Sequence, residues 1–167
     1  MHQSAFNNGV IFINKYLSSE SKLKVLDVGS YDVNGTLKPL FDREGWSYTG
    51  MDVEQGPNVD VVLEDRNRFP FDDESFDAIV STSCFEHDEA FWLTFAEIVR
   101  TLKTGGYIYL NAPSTGPYHG FPGDCWRFYK DAWAALAKGH ENIELIEQYI
   151  DPTEIFEDNV GVFQKIK

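Results

Sequence analysis

Two short apolar segments, each ending near an acidic residue, constrain the fold of this chain more than any other feature. Residues 24–28 form the first segment, which carries Asp27 and is followed at once by Gly29. Residues 48–52 form the second, which ends on Asp52. A glycine at such a turn lets the backbone bend sharply and a ligand approach, and a carboxylate at the second strand tip can accept both hydroxyls of a ribose. The pattern predicts a nucleotide-type site.

The turn after the first segment lacks the glycines that a dinucleotide needs. Tyr31 and Val33 occupy the second and third glycine positions of the Rossmann fingerprint, so a pyrophosphate fits poorly. No Gly-Lys-Ser or Gly-Lys-Thr sequence is present, which excludes a P-loop. The ligand that remains is an adenosine without phosphates, with Asp27 near its charged amino acid part and Asp52 on its ribose. In these features the chain resembles the class I S-adenosylmethionine-dependent methyltransferases.

The resemblance continues through most of the chain. Residues 59–80 resemble the third strand, adenine loop and fourth strand of the family, residues 81–87 the tip of its fourth strand, and residues 102–110 its turn into the fifth strand. The resemblance implies S-adenosylmethionine as cofactor, with the Asp65 carboxylate and the Arg66 amide on the adenine. The residues assigned to the cofactor are Asp27, Gly29, Ser30, Tyr31, Asp52, Val53, Asp65, Arg66 and Ser83.

Apolar runs and helical spacing predict an α/β fold. The short runs suit strands buried on both faces, and apolar residues recur at helical spacing elsewhere. We expect strands at residues 24–28, 48–52, 59–63, 78–82, 107–111, 143–150 and 160–166, and helices at 6–17, 89–102 and 130–137, with Gly105 and Gly106 closing the second helix. The resemblance implies that the last two strands pair antiparallel. The expected fold is a Rossmann-like class I methyltransferase sandwich with a seven-stranded, mostly parallel sheet and a C-terminal antiparallel hairpin.

Composition and charge limit the class of protein and its partners. The 167 residues can form one sizeable core, so we expect a single methyltransferase domain over residues 1–167. The net charge of −13 repels phosphate backbones, so a nucleic acid is not the expected substrate. No apolar run is long enough to span a bilayer and no leader pattern is present, which predicts a cytoplasmic protein that does not enter membranes. Cys84 and Cys125 are expected to be reduced.

The segment that follows the fifth predicted strand contains more chemically active side chains than a connection needs. It must emerge at the carboxyl ends of the strands, where ligands of open α/β sheets bind. We expect Tyr118, Trp126 and Arg127 to bind the methyl acceptor and His119 to accept its proton, with Asp124 orienting His119. The alternative is a structural connection in which Asp124 and Arg127 form a local ion pair. The segment is similar to a loop of bacterial and phage methyltransferases associated with surface polysaccharides, which supports the substrate role.

His87, which follows Glu86 at the tip of the fourth predicted strand, is the second candidate for the proton acceptor. No metal is expected, because the acidic residues of the cofactor segments have separate explanations and no His/carboxylate spacing marks a metal cage.

These features predict an S-adenosylmethionine-dependent methyltransferase that acts on an oxygen or nitrogen atom of a small-molecule or sugar-type acceptor. Two alternatives stay open. One is an S-adenosylmethionine-binding protein without transfer activity, which the replacement of two glycines by Tyr31 and Val33 favours. The other is an oxidoreductase on a Rossmann-type fold.

Overall fold

The computed structural model describes residues 2–17, 20–66 and 68–167, which form one seven-stranded sheet flanked by short helices. The strands are β1 Leu23–Val28, β2 Trp46–Asp52, β3 Val61–Val62, β4 Phe76–Thr82, β5 Leu102–Pro113, β6 Ile143–Asp151 and β7 Asp158–Lys165. The α-helices are α1 Gln3–Phe12, α2 Phe91–Thr101 and α3 Ala132–Ala137. None of the helices in this described part of the chain is long and apolar enough to cross a membrane.

The order of strands across the sheet is β3-β2-β1-β4-β5-β7-β6. β1 pairs in parallel with β2 and β4, β2 with β3, and β4 with β5, whereas β7 runs antiparallel to both β5 and β6. This confirms the predicted fold class, including the C-terminal antiparallel hairpin. The carboxyl ends of β1, β2, β4 and β5 lie along one edge of the sheet, so the loops that follow them meet there.

Hydrophobic side chains cover both faces of the sheet. On one face, Leu26 of β1 packs in a cluster with Phe95 of α2 and Trp133 of α3. On the other face, Val25 of β1 packs in a cluster with Phe12 of α1. Neighbouring residues of a strand point to opposite faces, so β1 contributes to both clusters. The helices thereby hold the sheet edge that carries the loops in place.

Each predicted element is present with bounds that differ by one or more residues, as in the first helix, the third strand and the last helix. The first helix, predicted over residues 6–17, begins at Gln3, and its last part is a π-helical segment, Ile13–Leu17. The third strand, predicted over residues 59–63, has only two residues because it lies at the sheet edge and pairs with β2 alone. The helix predicted over residues 130–137 begins at Ala132.

The glycine pair does not close the second helix, as the sequence had suggested. α2 ends at Thr101, and Leu102 already has extended backbone, with φ −76° and ψ 137°, so β5 follows directly. Gly105 has a φ of +85° within the irregular first part of β5, where the pairing with β4 changes register. Its conformational freedom serves this irregularity of the strand.

Candidate active site

A cavity of about 520 Å³ opens at the carboxyl edge of the parallel strands. This volume lies within the range of sites for cofactors and other small molecules. The predicted cofactor residues that line it are Asp27, Gly29, Ser30, Tyr31, Asp52, Val53, Arg66 and Ser83. The loops after β4 and β5 form the opposite wall, and the predicted proton acceptors His87 and His119 lie on that wall. One cavity therefore contains most of the predicted cofactor residues and both predicted proton acceptors.

Gly29 forms the turn at the end of β1. Its φ is +80°, a conformation that residues with a side chain rarely adopt, and a Cβ atom here would lie 2.3 Å from the Cys84 sulfur. The Gly29 and Ser30 N–H groups donate to the Met51 carbonyl at 2.9 and 3.1 Å. The turn is thus tied to the end of β2, and glycine is required there because the strand four tip packs directly against it.

The Asp52 carboxylate is held in place by backbone amides. Its Oδ2 accepts the Tyr31 N–H at 3.0 Å and its Oδ1 accepts the Val53 N–H at 2.7 Å. The Tyr31 ring lies against Gly56, where a Cβ would be 2.1 Å from the ring. Tyr31 occupies a position where dinucleotide sites have glycine. Its backbone N–H orients Asp52, and its ring lies beside the cavity.

Asp27 lies below the same turn and is 6% exposed. The Tyr48 hydroxyl donates to Asp27 Oδ2 at 2.6 Å, and the Asn58 amide in turn donates to the Tyr48 oxygen at 2.8 Å. Burial raises the pKa of Asp27 to about 7, although the Tyr48 hydroxyl opposes the shift. The carboxylate is oriented but costly to ionise, which suits a group that meets a positively charged ligand atom.

The predicted adenine side of the cavity is formed by residues that follow β3. Leu63, Arg66 and Phe69 line it, and Phe69 is buried with its N–H donating to Glu97 at 2.8 Å. Asp65 is exposed, its carbonyl accepts the Arg68 N–H at 3.0 Å, and it does not line the cavity. The structure brings Arg66 to the cavity and leaves Asp65 outside its wall.

Glu86 and the two predicted histidines form a cluster on the wall opposite β1. Glu86 is 1% exposed, and neither carboxylate oxygen has a hydrogen-bond partner among the described residues. Its Oε1 lies 3.6 Å from His87 Nε2 and 3.8 Å from His119 Nε2. These separations exceed ordinary hydrogen-bond distances, yet the close approach of the Glu86 carboxylate raises the pKa of His119 above its ordinary value, with the charge of Asp124 adding to the shift and burial opposing it. Sequence reasoning singled out His87 and missed Glu86, because burial of the carboxylate has no local sequence signal.

The other ring nitrogens of the histidines face hydrogen-bond acceptors. His87 Nδ1 bonds to the Gly123 carbonyl, and His119 Nδ1 lies 3.1 Å from Asp124 Oδ2. The two rings meet edge to face with their centroids 5.1 Å apart. Asp124 also accepts the His119 backbone N–H at 2.8 Å. Asp124 therefore lies beside His119, but His119 Nδ1 also lies 3.3 Å from an Arg127 guanidinium nitrogen. Both histidines direct Nε2 toward Glu86.

Arg127 anchors this arrangement. Its guanidinium binds both oxygens of Asp124, at 2.5 and 2.8 Å, and donates to the Pro117 carbonyl at 2.8 Å. The ion pair holds the pKa of Asp124 well below its usual range. The local ion pair of the structural alternative is therefore formed, and it coexists with the contact between Asp124 and His119.

The residues predicted to bind the acceptor lie on the outer side of the loop. Tyr118, Trp126 and Arg127 surround a separate depression of about 250 Å³ rather than the main cavity. Tyr118 is 76% exposed, and the Trp126 indole donates to the Asp88 carbonyl at 2.9 Å. The structure brings Arg127 to the histidine cluster, with a guanidinium nitrogen 3.3 Å from His119 Nδ1, but Tyr118 and Trp126 do not line the main cavity.

Two other aromatic side chains lie at the cavity instead. Phe121 is on the same loop, and Phe156 comes from the connection between β6 and β7. The Phe156 ring lies 4.8 Å from the His119 ring and 5.1 Å from the His2 ring, measured between centroids. Sequence reasoning missed Phe156, because its position in the site depends on the fold of a segment remote from the recognised motifs.

Residues 26–110 match the family described as a methyltransferase domain, a stretch just over half of the 167-residue chain. A curated relative from Mycobacterium tuberculosis, phthiotriol/phenolphthiotriol dimycocerosates methyltransferase, is 39% identical over an alignment that covers 37% of this chain and 27% of the relative. The protein of the same name from Mycobacterium leprae is 34% identical with the same coverage. The alignment spans little more than a quarter of these relatives, and their names give no support to the resemblance to polysaccharide-associated proteins.

Solved structures share the fold over almost the whole chain. A 1,6-didemethyltoxoflavin-N1-methyltransferase from Burkholderia thailandensis, solved with its substrate and S-adenosylhomocysteine, has a TM-score of 0.76 and 17% identity, covering 99% of this chain and 80% of that one. The [4+2]-cyclase SpnF has a TM-score of 0.76 and 14% identity, covering 98% and 82%. At these identities the likeness concerns the fold, and a cyclase among such structures shows that the fold alone does not fix the reaction.

The match to the family covers β1, β2, β3, β4, α2 and most of β5. It includes the turn at Gly29, the Asp52 carboxylate and the Glu86–His87 pair, and it confirms the family and the cofactor predicted from the sequence. The chain belongs to the methyltransferase domain family of class I S-adenosylmethionine-dependent enzymes.

Proposed function

We propose that this chain transfers a methyl group from S-adenosylmethionine to an oxygen or nitrogen atom of a small, uncharged acceptor. The observation that carries the proposal is the single cavity in which the predicted cofactor residues face the Glu86, His87 and His119 cluster. Asp27 and Asp52 are suited to the amino acid and ribose parts of the cofactor. The cluster then lies on the wall where an acceptor atom can meet the methyl group.

The walls and the charge of the molecule support this class of acceptor. Phe121, Phe156 and Pro113 give the side near His119 an apolar surface that suits a lipid chain or the face of a sugar ring. The net charge of −13 disfavours phosphorylated and other anionic acceptors. Relatives named for phthiotriol dimycocerosates favour a lipid acceptor over the surface-polysaccharide acceptor suggested by the loop after β5. A sugar-type acceptor stays a second possibility for the same cavity.

The bound cofactor supplies an electrophilic methyl group on a sulfonium. The chain has to hold the acceptor atom in line with the methyl carbon and the sulfur, and alignment of this kind provides much of the rate. A hydroxyl acceptor must also lose its proton as its lone pair forms the new bond to carbon. His119, oriented by Asp124 through Nδ1, presents Nε2 to the cavity and is the proposed proton acceptor, with His87 beside it.

The test is formation of S-adenosylhomocysteine with a panel of hydroxylated lipids, sugars and amines. His119→Ala should lower turnover by about 10²- to 10⁴-fold while leaving cofactor affinity nearly unchanged. His140→Ala is the matched control, because His140 packs on Phe95 in the core and does not line the cavity. Normal turnover in His119→Ala would remove the role of His119.

The family membership disfavours the oxidoreductase alternative, and binding of S-adenosylmethionine but not NAD in a calorimetric titration would exclude it. A protein that binds S-adenosylmethionine without transferring its methyl group is favoured by one observation, the outward position of Tyr118 and Trp126. Tight cofactor binding with no S-adenosylhomocysteine formed from any acceptor class would support that function.

A further inference from the structure

We propose that Glu86, His87 and His119 bind a divalent transition-metal ion inside the cavity. One ligand atom from each residue can be chosen so that all three atoms lie within 4.8 Å of one another. His87 and His119 belong to loops after different strands, β4 and β5, and the fold brings them to one carboxylate. Three features of the cluster, taken in turn below, point to a bound cation.

The first feature is the burial of the Glu86 carboxylate without hydrogen bonds from the described residues. The residue is 1% exposed, and both of its oxygens lack hydrogen-bond partners among the described residues. Removing a carboxylate from water costs several kcal/mol unless a cation or hydrogen bonds compensate it. A buried carboxylate that faces two imidazoles without bonding to either is satisfied by an ion placed between the three groups.

The second feature is the orientation of the imidazoles. His87 Nδ1 bonds to the Gly123 carbonyl. His119 Nδ1 lies 3.1 Å from Asp124 Oδ2, which can accept an Nδ1 proton, and 3.3 Å from an Arg127 guanidinium nitrogen. Both rings direct Nε2 toward Glu86. Metal-binding histidines almost always donate their second N–H to a carbonyl or carboxylate, which fixes the tautomer and the ring orientation. His87 has such a partner, and Asp124 is placed to serve as one for His119.

The third feature is the donor set and its opening to the cavity. Two imidazole nitrogens and one carboxylate oxygen suit Zn²⁺, Mn²⁺, Fe²⁺ and related ions. The Glu86 oxygen lies 3.6 and 3.8 Å from the two Nε2 atoms, and bonds of about 2.0–2.2 Å to a shared ion require only a small contraction. Three protein ligands leave coordination positions open toward the cavity, as in catalytic metal sites.

The proposal that an ion binds depends only on the cluster of Glu86, His87 and His119. The proposed role of the ion in methyl transfer rests on the proposed function. A divalent cation at this position would lower the pKa of an acceptor hydroxyl and hold its oxygen in place. His119 Nε2 would then be a ligand rather than the proton acceptor, the acceptor hydroxyl would lose its proton to water, and Asp124 would be the outer partner that orients His119. This proposal replaces the expectation from the sequence that no metal takes part.

The experiment uses chelator-treated protein titrated calorimetrically with ZnCl₂, MnCl₂ and MgCl₂. The wild type should bind one Zn²⁺ or Mn²⁺ ion per chain, more tightly than Mg²⁺. Asp124→Asn removes an outer partner of His119 and should weaken binding of the ion by about 10- to 100-fold. Glu86→Gln removes a ligand and should weaken binding at least as much. Glu89→Gln is the matched control, because it removes a nearby carboxylate that lies outside the cluster, and it should keep the wild-type affinity.

Thermal unfolding of the same proteins separates a metal site from a purely ionic cluster. Without metal, Glu86→Gln should melt at or above the temperature of the wild type, because it removes a buried carboxylate whose oxygens have no hydrogen-bond partner among the described residues, and only the wild type should gain stability from the ion. No bound ion in the wild type, equal affinity in Glu86→Gln, or a lower melting temperature for metal-free Glu86→Gln would each overturn the site.

Failure of the site and failure of the proposed function are distinguishable. Full methyl transfer by metal-free wild type would overturn the role of the ion and leave the methyltransferase intact. Ion binding that depends on Glu86 in a protein that transfers no methyl group to any acceptor would support the site and contradict the proposed function. Cofactor affinity, measured on the same preparations with S-adenosylhomocysteine, verifies in each case that the cavity is formed.

Discussion

At the scale of single residues, Asp27 shows how burial adapts a common side chain to its ligand. The carboxyl group is 6% exposed and its pKa is raised to about 7, mainly by burial and to a smaller degree by the charge of Asp52. The Tyr48 hydroxyl, which donates to it at 2.6 Å, favours the ionised form. Near neutral pH the residue therefore exchanges between a neutral and a charged form, and a cationic ligand group favours the charged one.

Cofactor affinity should consequently depend on pH. Between pH 8 and pH 5.5 Asp27 becomes mostly protonated, and the affinity for S-adenosylhomocysteine should fall by up to about 30-fold as the attraction for its ammonium group is lost. Because the folded pKa lies above the ordinary value of 3.8, protonation stabilises the fold as the pH falls from about 7 toward 4, so unfolding driven by Asp27 does not explain the weaker binding.

Calorimetric titrations of the wild type and Asp27→Asn across this pH range provide the measurement. The variant should bind more weakly at pH 8 and lose most of the pH dependence. The same pH dependence in both proteins would show that Asp27 does not contact the charged part of the cofactor.

The same scale shows where sequence reasoning succeeds. Gly29 and Asp52 were predictable, because a turn with positive φ and a carboxylate at a strand tip each follow from a few neighbouring residues. Glu86 was not, because the Glu-His sequence looks the same whether the carboxylate is exposed or buried. Only the packed fold shows that its oxygens lack hydrogen-bond partners in the part of the chain that the structure describes.

At the scale of elements, hydrogen bonds and an ion pair within the loop after β5 hold its conformation. Arg127 joins the Asp124 carboxylate to the Pro117 carbonyl, and the Asp124 side chain is only 2% exposed. The loop therefore presents His119 to the cavity while Tyr118 faces solvent. The composition of this segment predicts a functional role for it, but the direction of each side chain depends on contacts with Glu86 and Phe156 that lie outside it.

Arg127→Met should destabilise the protein, because it keeps the side-chain volume but leaves Asp124 buried without its charge partner. We expect a loss of about 2–3 kcal/mol in the free energy of unfolding, together with lower methyl transfer as His119 loses its orientation. Tyr118→Ala, at an exposed position of the same loop, should change the free energy of unfolding by less than about 0.5 kcal/mol. Urea unfolding monitored by fluorescence gives both values, and equal effects of the two substitutions would contradict the anchoring role of Arg127.

Strands and helices differ in how far their bounds could be predicted. β1, β2 and β4 are central strands with apolar runs, and their positions agree closely with the sequence. β3 shrinks to two residues because it has a single neighbour, and the α2–β5 junction shifts because Leu102 pairs with Phe76 of β4. Both deviations are set by pairing between distant segments, which local patterns do not record.

At the scale of the whole molecule, the sheet brings two groups of site residues to one edge, and the two groups differ in how far the sequence predicts them. The cofactor half comes from the ends of β1 and β2, close together in the chain and readable as motifs. The acceptor half combines the tip of β4, the loop after β5 and the connection between β6 and β7. The order of the strands determines which residues meet in this half of the site. The family membership predicts the fold, but it does not predict the methyl acceptor.

The central claim is that this fold places the reacting sulfur beside the Glu86, His87 and His119 cluster. A crystal structure of the protein with S-adenosylhomocysteine tests it most directly. We predict ribose hydroxyls on Asp52, the amino acid part near Asp27 and Gly29, and the sulfur directed at the cluster across a space that fits one acceptor atom. The account would be contradicted by a ligand whose ribose lies away from Asp52. It would also be contradicted by a sulfur that points away from the cluster, so that no acceptor could contact both the methyl group and the cluster.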